Sequence, residues 1–485
     1  MKYDRIENYI DGRFQTGVTE MQAVVSPVSG EVISEVPMSD AAEVESAVVA
    51  ARAAFPGWAA LTSKQRAEVF FRYRSLLDTN RDVLARLIHE ENGKTIAEGR
   101  AEVVRAMEVT EFACALPQLV AGEVLEVSRG VECRVDRVPI GVGASIVPFN
   151  FPVMVPHWTI PIALGLGNTM VFKPSEQVPL SANRTAELLT EAGLPAGVFN
   201  VVHGDQRAVQ AITDHPGIEA VTFVGSTPVA RQVYQRATEK TKRALCLGGA
   251  KNHLLVLPDA DLEQTAANVV ASMAGCAGQR CMAAASMVAV GAVDPIIDRV
   301  CQVAQELVPG ESLGPVISAA AKTRIEAYIS EAESDGAEVL VDGRGTEVEG
   351  CEDGFYVGAT VLDHVQPEMR IAQEEVFGPV LSILRAADVD RAVELENRSQ
   401  FGNAAAVYTR SGGLARRIVE RVSAGMIGVN IGVPVPLEPF GFGGWNESKF
   451  GVGDITGKSS IEFWTQSRKT TTRWTRDIKQ GWMGD

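Results

Sequence analysis

The sequence predicts an α/β protein built around a parallel β-sheet, and two observations lead to this prediction. Short apolar runs rich in β-forming residues alternate with patterns typical of amphipathic helices, as in βαβ units. Polar residues and glycines follow these runs directly, where parallel strands would end. With 485 residues and 46% hydrophobic content, the chain is long enough for two or three domains with sizeable cores.

The first helix is predicted to begin after Asp40. Asp40 and Glu43 have the spacing of a capping box, and apolar residues then recur at helical intervals. The residues predicted to share its apolar face are Val44, Val48, Ala51 and Phe55. Further amphipathic helices are predicted over residues 64–91 and 97–117.

Short β-rich runs then predict a set of strands, most of them followed by a helical pattern such as residues 181–192. The predicted strands are residues 144–147, 169–172, 199–202 and 221–224. A second set of strand and helix signals occupies residues 254–446. Residues 138–172 contain no Asp, Glu, Lys or Arg, but prolines interrupt them repeatedly. This segment is therefore predicted to form buried strands and an irregular wall rather than a membrane span.

The charge and the cysteines exclude several function classes. A net charge of −16 argues against nucleic acids and anionic membranes as partners, because both select basic surfaces. The 7 cysteines are irregularly spaced and include no CxxC pair, unlike a disulfide framework or a zinc site. We therefore predict a reducing, cytoplasmic location and no metal site. The polar N-terminus lacks an apolar region, so no secretory signal is expected.

Polar residues after the predicted strands indicate a nucleotide-binding crevice. Asn150 follows the first strand and Lys173 and Glu176 follow the second. Gly225 and Ser226 follow the fourth. Open α/β sheets bind ligands just beyond the carboxyl ends of their strands, so these residues are candidates for cofactor contacts.

The usual dinucleotide fingerprint, GxGxxG, is incomplete in this chain. Half-matches begin at Gly141 and Gly165, but Ile146 and Met170 occupy the place of the third glycine. Each half-match taken alone favours a tight turn over a cofactor site.

A candidate nucleophile lies in the loop Gly275–Cys281. Cys281 directly follows Arg280, whose charge would lower the pKa of the thiol, and the glycines would let a substrate approach the sulfur. Cys276 is the rival nucleophile in the same loop. For either residue, a buried and unreactive cysteine is the alternative interpretation.

Several ordered motifs, spread over nearly the whole chain, carry a resemblance to a known family. They are PFNFP at 148–152, FKPSE at 172–176, FVGST at 223–227, GQRC at 278–281, EEVFGP at 374–379 and PFG at 439–441. On these motifs the chain resembles the aldehyde dehydrogenase superfamily, whose members bind NAD(P) without the glycine fingerprint. The resemblance implies an α/β fold with a Rossmann-type cofactor domain, an α/β catalytic domain and a β-ribbon oligomerisation element.

The resemblance also implies domain bounds and an assembly. The NAD-binding domain would comprise residues 1–118 and 139–247, and the catalytic domain residues 248–445. Residues 119–138 and 460–485 would form the oligomerisation element of a homodimer or homotetramer.

The roles of the family transfer to matching positions of this chain. Cys281 would attack the aldehyde carbon, and the Asn150 amide with the Cys281 backbone N–H would stabilise the oxyanion. The carboxylate of Glu176 at the adenosine ribose implies NAD rather than NADP. The positions that match cofactor contacts are Ile146, Pro148, Phe149, Lys173, Glu176, Gly225, Ser226, Glu375 and Phe377. The positions expected to contact the substrate are Arg105, Arg280 and Phe151.

The chain departs from the family pattern at Leu245–Gly249. Hydrolytic members carry a glutamate here, which acts as the general base that activates water. In this chain the glycines align Cys246 with that glutamate, whereas the spacing to Cys281 aligns Leu247. Without the base, a thioester on Cys281 would persist until a better nucleophile, such as coenzyme A, attacks it.

The strings GGAKNH at 248–253 and QRCM at 279–282 resemble the methylmalonate-semialdehyde dehydrogenases, the CoA-acylating branch of the superfamily. We therefore predict NAD-dependent oxidation of malonate or methylmalonate semialdehyde, with the acyl group passed to CoA. The substrate carboxylate would need a dedicated cation in so acidic a chain, and Arg105 and Arg280 are the candidates.

Other interpretations stay open. One is a hydrolytic aldehyde dehydrogenase whose substitute base is His253 or a carboxylate elsewhere in the chain. Another is a different small anionic aldehyde, such as a sulfonated or phosphonated one. A catalytically idle structural protein is disfavoured, because Cys281, Asn150, Lys173 and Glu375 occur together.

Overall fold

The computed structural model describes residues 1–18 and 20–474. The strands in these residues are β1 (Asn8–Ile10), β2 (Arg13–Gln15), β3 (Met21–Val25), β4 (Val32–Pro37), β5 (Glu123–Ser128), β6 (Val131–Pro139), β7 (Val142–Ile146), β8 (Thr169–Lys173), β9 (Phe199–Val201), β10 (Ala220–Val224), β11 (Arg243–Leu247), β12 (Asn252–Val256), β13 (Ala284–Val290), β14 (Glu338–Val341), β15 (Thr360–Asp363), β16 (Val380–Ala386), β17 (Phe401–Gly402), β18 (Ala404–Tyr408), β19 (Met426–Val429), β20 (Trp445–Asn446), β21 (Lys449–Phe450) and β22 (Thr465–Arg473).

The helices of the same residues are α1 (Ala41–Ala60), α2 (Ser63–Thr79), α3 (Arg81–Asn92), α4 (Ile96–Cys114), α5 (Leu116–Leu119), α6 (Met154–His157), α7 (Ile160–Gly165), α8 (Leu180–Glu191), α9 (Gln206–Asp214), α10 (Thr227–Glu239), α11 (Leu262–Ala274), α12 (Asp294–Gln305), α13 (Ala319–Ser334), α14 (Arg370–Gln373), α15 (Val389–Asn397), α16 (Gly412–Val419) and α17 (Gly457–Phe463). A short 3₁₀ helix, Gly275–Gly278, follows α11.

The predicted α/β class is confirmed by the first sheet, whose strand order is β2-β1-β9-β8-β7-β10-β11-β21. Strands β7 to β11 pair in parallel, while β1, β2 and β21 are antiparallel to their neighbours. The chain leaves β7 for β8 and β9 on one side and then returns to β10 on the other. A switch point therefore lies between β7 and β10, where open α/β sheets bind ligands.

The helices before this sheet follow the sequence prediction with one correction. Asp40 and Glu43 form the predicted capping box at the start of α1. The single helix predicted over residues 64–91 is wrong, because the chain turns at Asn80 and forms α2 and α3 instead. Asn80 donates from both its backbone N and its side-chain Nδ2 to the Leu76 carbonyl, at 2.9 Å each. This side-chain bond competes with continuation of the helix.

The second sheet has the strand order β14-β15-β16-β13-β12-β18-β19 and is parallel except for β14. It begins directly after the first sheet along the chain, because β11 ends at Leu247 and β12 starts at Asn252. The short connection 248–251 therefore passes between the two sheets. Residues of this connection and of the loop before β13 are among those that reach the boundary between the sheets.

A third, antiparallel sheet has the order β22-β6-β5 and is largely exposed. Its exposed apolar residues include Val124, Leu125 and Val127. Of the predicted oligomerisation element, residues 475–485 lie outside the described residues and 460–463 belong to α17. Its role in assembly stays a prediction, as do the domain bounds.

The uncharged segment 138–172 forms β7, α6, α7 and β8 together with the end of β6. Across residues 1–18 and 20–474, no helix combines the length and the apolar character needed to cross a membrane.

Candidate active site

A cavity of about 600 Å³ lies beyond the carboxyl ends of β7, β8 and β10, at the switch point. Most of the positions predicted to contact the cofactor line it: Ile146, Pro148, Phe149, Lys173, Glu176, Gly225 and Ser226. The parallel sheet brings these residues together, because each follows or ends a strand that stops at this edge.

A buried lysine and a partly exposed carboxylate form an ion pair in this cavity. Lys173 ends β8 and is 5% exposed. Its Nζ donates to Glu176 Oε2 at 3.0 Å. The pair offers one hydrogen-bond donor and one anionic acceptor to a ligand. A ribose with two free hydroxyl groups suits this combination better than a 2′-phosphate does.

The helix α10 begins at the same cavity. Its N-cap residue, Ser226, makes no side-chain capping hydrogen bond. The backbone N–H groups of the first turn lack helical acceptors and lie at the positive end of the helix dipole, so they can receive a phosphate. A Cβ atom at Gly225 would lie 2.6 Å from the Phe223 ring, so a larger residue at this turn would require that ring to shift. These features fit a dinucleotide.

A second cavity, of about 290 Å³, shares Pro148, Phe149, Val224, Gly225 and Ser226 with the first. The two cavities are therefore adjacent parts of one cleft. The remaining predicted residues that line the second cavity are Asn150, Phe151, Cys281, Glu375 and Phe377.

Cys281 is partly exposed to this cavity, and its backbone is held firmly. The Cys281 carbonyl accepts from Asn252 Nδ2 at 2.7 Å and from Asn403 Nδ2 at 2.8 Å. Burial raises the pKa of the Cys281 thiol to about 12, and the Glu375 carboxylate acts in the same direction. Arg280 lowers this pKa, as predicted, but its effect is smaller than that of burial, so the net shift is upward.

Asn150 lines the second cavity and contacts the nucleophile loop. It is 6% exposed, and its Nδ2 donates to the Gln279 carbonyl at 2.9 Å. An amide nitrogen carries two N–H groups, so one remains for a second acceptor in the cavity. Cys276, the rival nucleophile, is buried and lines neither cavity.

Glu375 lies near the connection between the sheets. Its Oε1 accepts from the Ala250 backbone N at 3.1 Å, and a Cβ at Gly249 would lie 2.4 Å from its Oε2. Burial raises the pKa of Glu375 to about 7, although the positive charges of Lys251 and Arg324 oppose this shift. Burial also lowers the pKa of Lys251 to about 8.

The two arginines predicted to contact the substrate line neither of these cavities. Arg280 Nη2 donates to the carbonyls of residues 271 and 272, at 2.6 and 2.9 Å, near the end of α11. Arg280 does line a cavity of about 20 Å³ that Cys281 also borders. Arg105, on α4, is paired with Glu108. The guanidinium that lines the 290 Å³ cavity belongs instead to Arg324, which sequence reasoning missed.

The two positions aligned with the missing glutamate lie on opposite faces of β11. Leu247 belongs to the apolar cluster against which Cys281 and Phe151 pack, whereas Cys246 belongs to a different cluster. Both alignments stay predictions, because neither residue lines the 290 Å³ cavity that Cys281 borders. His253, suggested as a substitute base, lines a separate cavity of about 420 Å³. Burial lowers the pKa of His253 to about 4.

Sequence reasoning also missed side chains that hold the nucleophile loop. Asn252 and Asn403 bind the Cys281 carbonyl, and Asn252 Oδ1 additionally accepts from the Ala404 N at 3.1 Å. Asn252 lies in the GGAKNH string, so the family resemblance of that string could have identified it. Asn403 lies between two short strands, far along the chain, and no local pattern marked it.

Comparisons with known proteins agree on one family. The model of the aldehyde dehydrogenase family matches residues 14–470. The malonate-semialdehyde dehydrogenase of Halalkalibacterium halodurans is 43% identical, over 97% of this chain and 99% of that protein. Malonate-semialdehyde dehydrogenase 2 of Geobacillus thermodenitrificans is 44% identical, over 96% and 99%.

Solved structures show the same similarity. A protein of Sinorhizobium meliloti 1021, provisionally named methylmalonate-semialdehyde dehydrogenase and crystallised with NAD, superposes with a TM-score of 0.97. It is 42% identical, and 99% of each chain is covered. The methylmalonate-semialdehyde dehydrogenase of Oceanimonas doudoroffii has a TM-score of 0.96 and 41% identity, over 98% of this chain and 99% of that one.

Proposed function

Because the chain belongs to the aldehyde dehydrogenase family, we propose that it oxidises malonate or methylmalonate semialdehyde with NAD and passes the acyl group from Cys281 to coenzyme A. The single observation that carries the proposal is the placement of Cys281 and Asn150 at one cavity, in a chain with no carboxylate at either position aligned with the missing glutamate. The nucleophile and the oxyanion-binding amide are present there, whereas an apolar residue takes the place of the hydrolytic base.

Residues of the 600 Å³ cavity would hold NAD. Lys173 and Glu176 would bind the adenosine ribose, and the first turn of α10 after Ser226 would bind the pyrophosphate. Glu375 would bind the ribose on the nicotinamide side. NAD, when bound, supplies the hydride acceptor. The NAD complex of the protein from Sinorhizobium meliloti supports this choice of cofactor.

Cys281 would attack the aldehyde carbon from one wall of the 290 Å³ cavity. The thiol must lose its proton for this step, since the thiolate is the nucleophile. The oxyanion that forms would accept from the second N–H of the Asn150 amide and from the Cys281 backbone N–H. Loss of hydride from this adduct leaves a thioester on the Cys281 sulfur.

Leu247 would then decide the fate of the thioester. An apolar side chain cannot activate water, so hydrolysis lacks general-base assistance and the thiol of CoA becomes the better acceptor. One observation favours hydrolysis as a second candidate. Glu375 is a carboxylate that lines the same cavity, and its pKa of about 7 suits a general base.

The substrate class rests on the named relatives and on charge. Malonate and methylmalonate semialdehydes carry a carboxylate, for which Arg105 and Arg280 stay our candidates. Arg105 would have to exchange its pairing with Glu108 for the substrate. A homodimer or homotetramer, assembled through the sheet β22-β6-β5, belongs to the same proposal.

NADH formation from malonate semialdehyde, measured with and without CoA, tests the proposal. We expect sustained turnover only with CoA, and an acyl-CoA as the product. Sustained NADH formation without CoA, with a free acid as the product, would reject the acylating function in favour of the hydrolytic one.

A further inference from the structure

An ion pair buried beside the active site has no role in the steps above. Lys94 lies between α3 and α4, and its Nζ is 2.8 Å from Oε2 of Glu102, in α4. The two side chains are 1% and 0% exposed. Burying two opposite charges is often no better for stability than packing apolar residues there. A role for this pair is therefore better sought in the backbone groups to which it is hydrogen-bonded.

Both members of the pair hold the backbone segment that carries Asn150. Lys94 Nζ donates to the Asn150 carbonyl oxygen and lies 4.0 Å from the centroid of the Phe151 ring. Glu102 Oε1 accepts from the backbone N–H groups of residues 153 and 154, at 2.7 and 3.0 Å. The carbonyl of Asn150 and the two N–H groups thus depend on one pair of charges.

The same face of α4 also holds the loop of the nucleophile. Glu98 lies one helical turn before Glu102, and residues four apart share a helix face. Glu98 Oε1 accepts from the Cys276 backbone N at 2.6 Å. Cys276 has a φ of 55°, in the left-handed region that non-glycine residues rarely adopt. One helix face therefore contacts both the amide segment and the loop that leads to Cys281.

We propose that Lys94 and Glu102 are positioning residues that act through Asn150, by fixing its backbone so that its amide faces the oxyanion of the Cys281 adduct. Stabilisation of an oxyanion depends on donors placed before the reaction begins, and small displacements reduce the rate strongly. The inference rests on the proposed roles of Asn150 and Cys281, but it requires neither CoA nor a particular substrate.

The test uses the full-length double variant Lys94→Met/Glu102→Gln, which removes both charges and keeps an oxygen acceptor for the N–H groups of residues 153 and 154. The readout is the pre-steady-state burst of NADH, with malonate semialdehyde and with propanal. The control is Arg100→Met. Arg100 lies on α4, as Glu102 does, and this variant removes its exposed ion pair with Asp82 of α3. We expect the double variant to lose about tenfold or more of the burst rate with both aldehydes, and the control to lose little.

Two further measurements separate positioning from general damage. NAD binding, followed by tryptophan fluorescence, and alkylation of Cys281 by iodoacetamide form no oxyanion, so we expect both to stay near wild type. A parallel loss of burst, binding and alkylation, or an unchanged burst, would overturn the proposal. Glu102→Gln alone is the milder variant should the double one not fold, with the same selective loss expected to a smaller degree.

Combining the double variant with Asn150→Ala tests whether the ion pair acts through Asn150. In Asn150→Ala enzyme the double change should have little further effect on the burst, because the amide it positions is gone. A full additional loss would reject the assignment. Turnover that proves independent of CoA would reject the acylating function but leave this comparison intact, since the propanal burst precedes acyl transfer.

Discussion

Asn150 Nδ2 donates to the Gln279 carbonyl at 2.9 Å, and this hydrogen bond joins the segment after β7 to the loop that carries Cys281. One N–H of the amide is thereby anchored, and the orientation of the other is set by the same bond. The Asn150 amide and the Cys281 thiol are thus connected through two residues of backbone, although 131 positions separate them in the sequence.

The first prediction concerns the identity of the nucleophile. Cys281→Ala should abolish the NADH burst, because Cys281 is the cysteine that lines the 290 Å³ cavity. Cys276→Ala should keep a burst, since Cys276 is buried and bound through its backbone N to Glu98. Stopped-flow absorbance at 340 nm measures both. A burst that survives in Cys281→Ala and disappears in Cys276→Ala would reverse the assignment.

A second prediction follows from the raised pKa of the Cys281 thiol, about 12 in the absence of cofactor. At pH 7 to 10 the group is then mainly protonated, so alkylation by iodoacetamide should rise about tenfold per pH unit without a plateau. Glu375→Gln should accelerate alkylation, because the carboxylate raises this pKa. Mass spectrometry of the Cys281 peptide gives the rates. A plateau below pH 9, or no effect of the variant, would contradict the burial argument.

Cofactor choice gives a third prediction. Glu176→Gln should improve the use of NADP relative to NAD, since it removes an anion from the site of a 2′-phosphate and leaves Lys173 positive. The matched control is Glu187→Gln, which breaks another i,i+3 pair, with Arg184, outside the cavity. Steady-state kcat/KM for both cofactors provides the ratio. The ribose contact is rejected if that ratio does not move.

The substrate carboxylate is the subject of a fourth prediction. Arg105→Leu should lower kcat/KM for malonate semialdehyde by roughly one to two orders of magnitude, the scale of a charge-assisted hydrogen bond. Propanal lacks the carboxylate and should be affected much less. Arg100→Leu, on the same helix, serves as the control. Equal losses with both aldehydes would assign Arg105 to folding or to the cofactor site instead.

Acyl transfer gives the fifth prediction. Without CoA, NADH should appear as a burst close to one equivalent per competent site, because general-base assistance typically contributes about 10²–10⁴-fold and is missing here. Intact-mass spectrometry should then show an acyl adduct on Cys281. Leu247→Glu should partly restore hydrolysis, since the spacing to Cys281 aligns Leu247 with the glutamate of hydrolytic members. Cys246→Glu is the control. Its side chain would face the other apolar cluster, so we expect it not to restore hydrolysis.

The strands that form the cofactor cavity were predictable, because β7, β8 and β10 are short, largely apolar runs with polar residues or glycines at or soon after their ends. The end of α2 at Asn80 was not predictable, because the hydrogen bond from the Asn80 side chain to the Leu76 carbonyl leaves no trace in the apolar pattern. Likewise, a Lys and a Glu eight positions apart beside a helix suggest solvated charges, and only the tertiary fold buries Lys94 and Glu102.

The candidate site likewise has some features that the sequence predicts and others that it cannot. Cys281 and Asn150 lie in recognisable motifs, and the structure places both at one cavity. The direction of the thiol pKa could not be predicted, because the adjacent Arg280 is visible in the sequence whereas the extent of burial is not. Arg280 instead satisfies backbone carbonyls near the end of α11, a use that depends on the position of that helix.

The antiparallel pairs at the C-terminal end of the chain have a consequence for biosynthesis. β21 pairs with β11, and β22 pairs with β6 along its whole length. A nascent chain that has already made the cofactor cavity therefore still carries unpaired edges on both strands until residues 449–473 leave the ribosome. Unpaired strand edges promote association between chains, and contacts so distant in sequence form slowly. Both edges are thus open to association between chains until residues 449–473 pair with them.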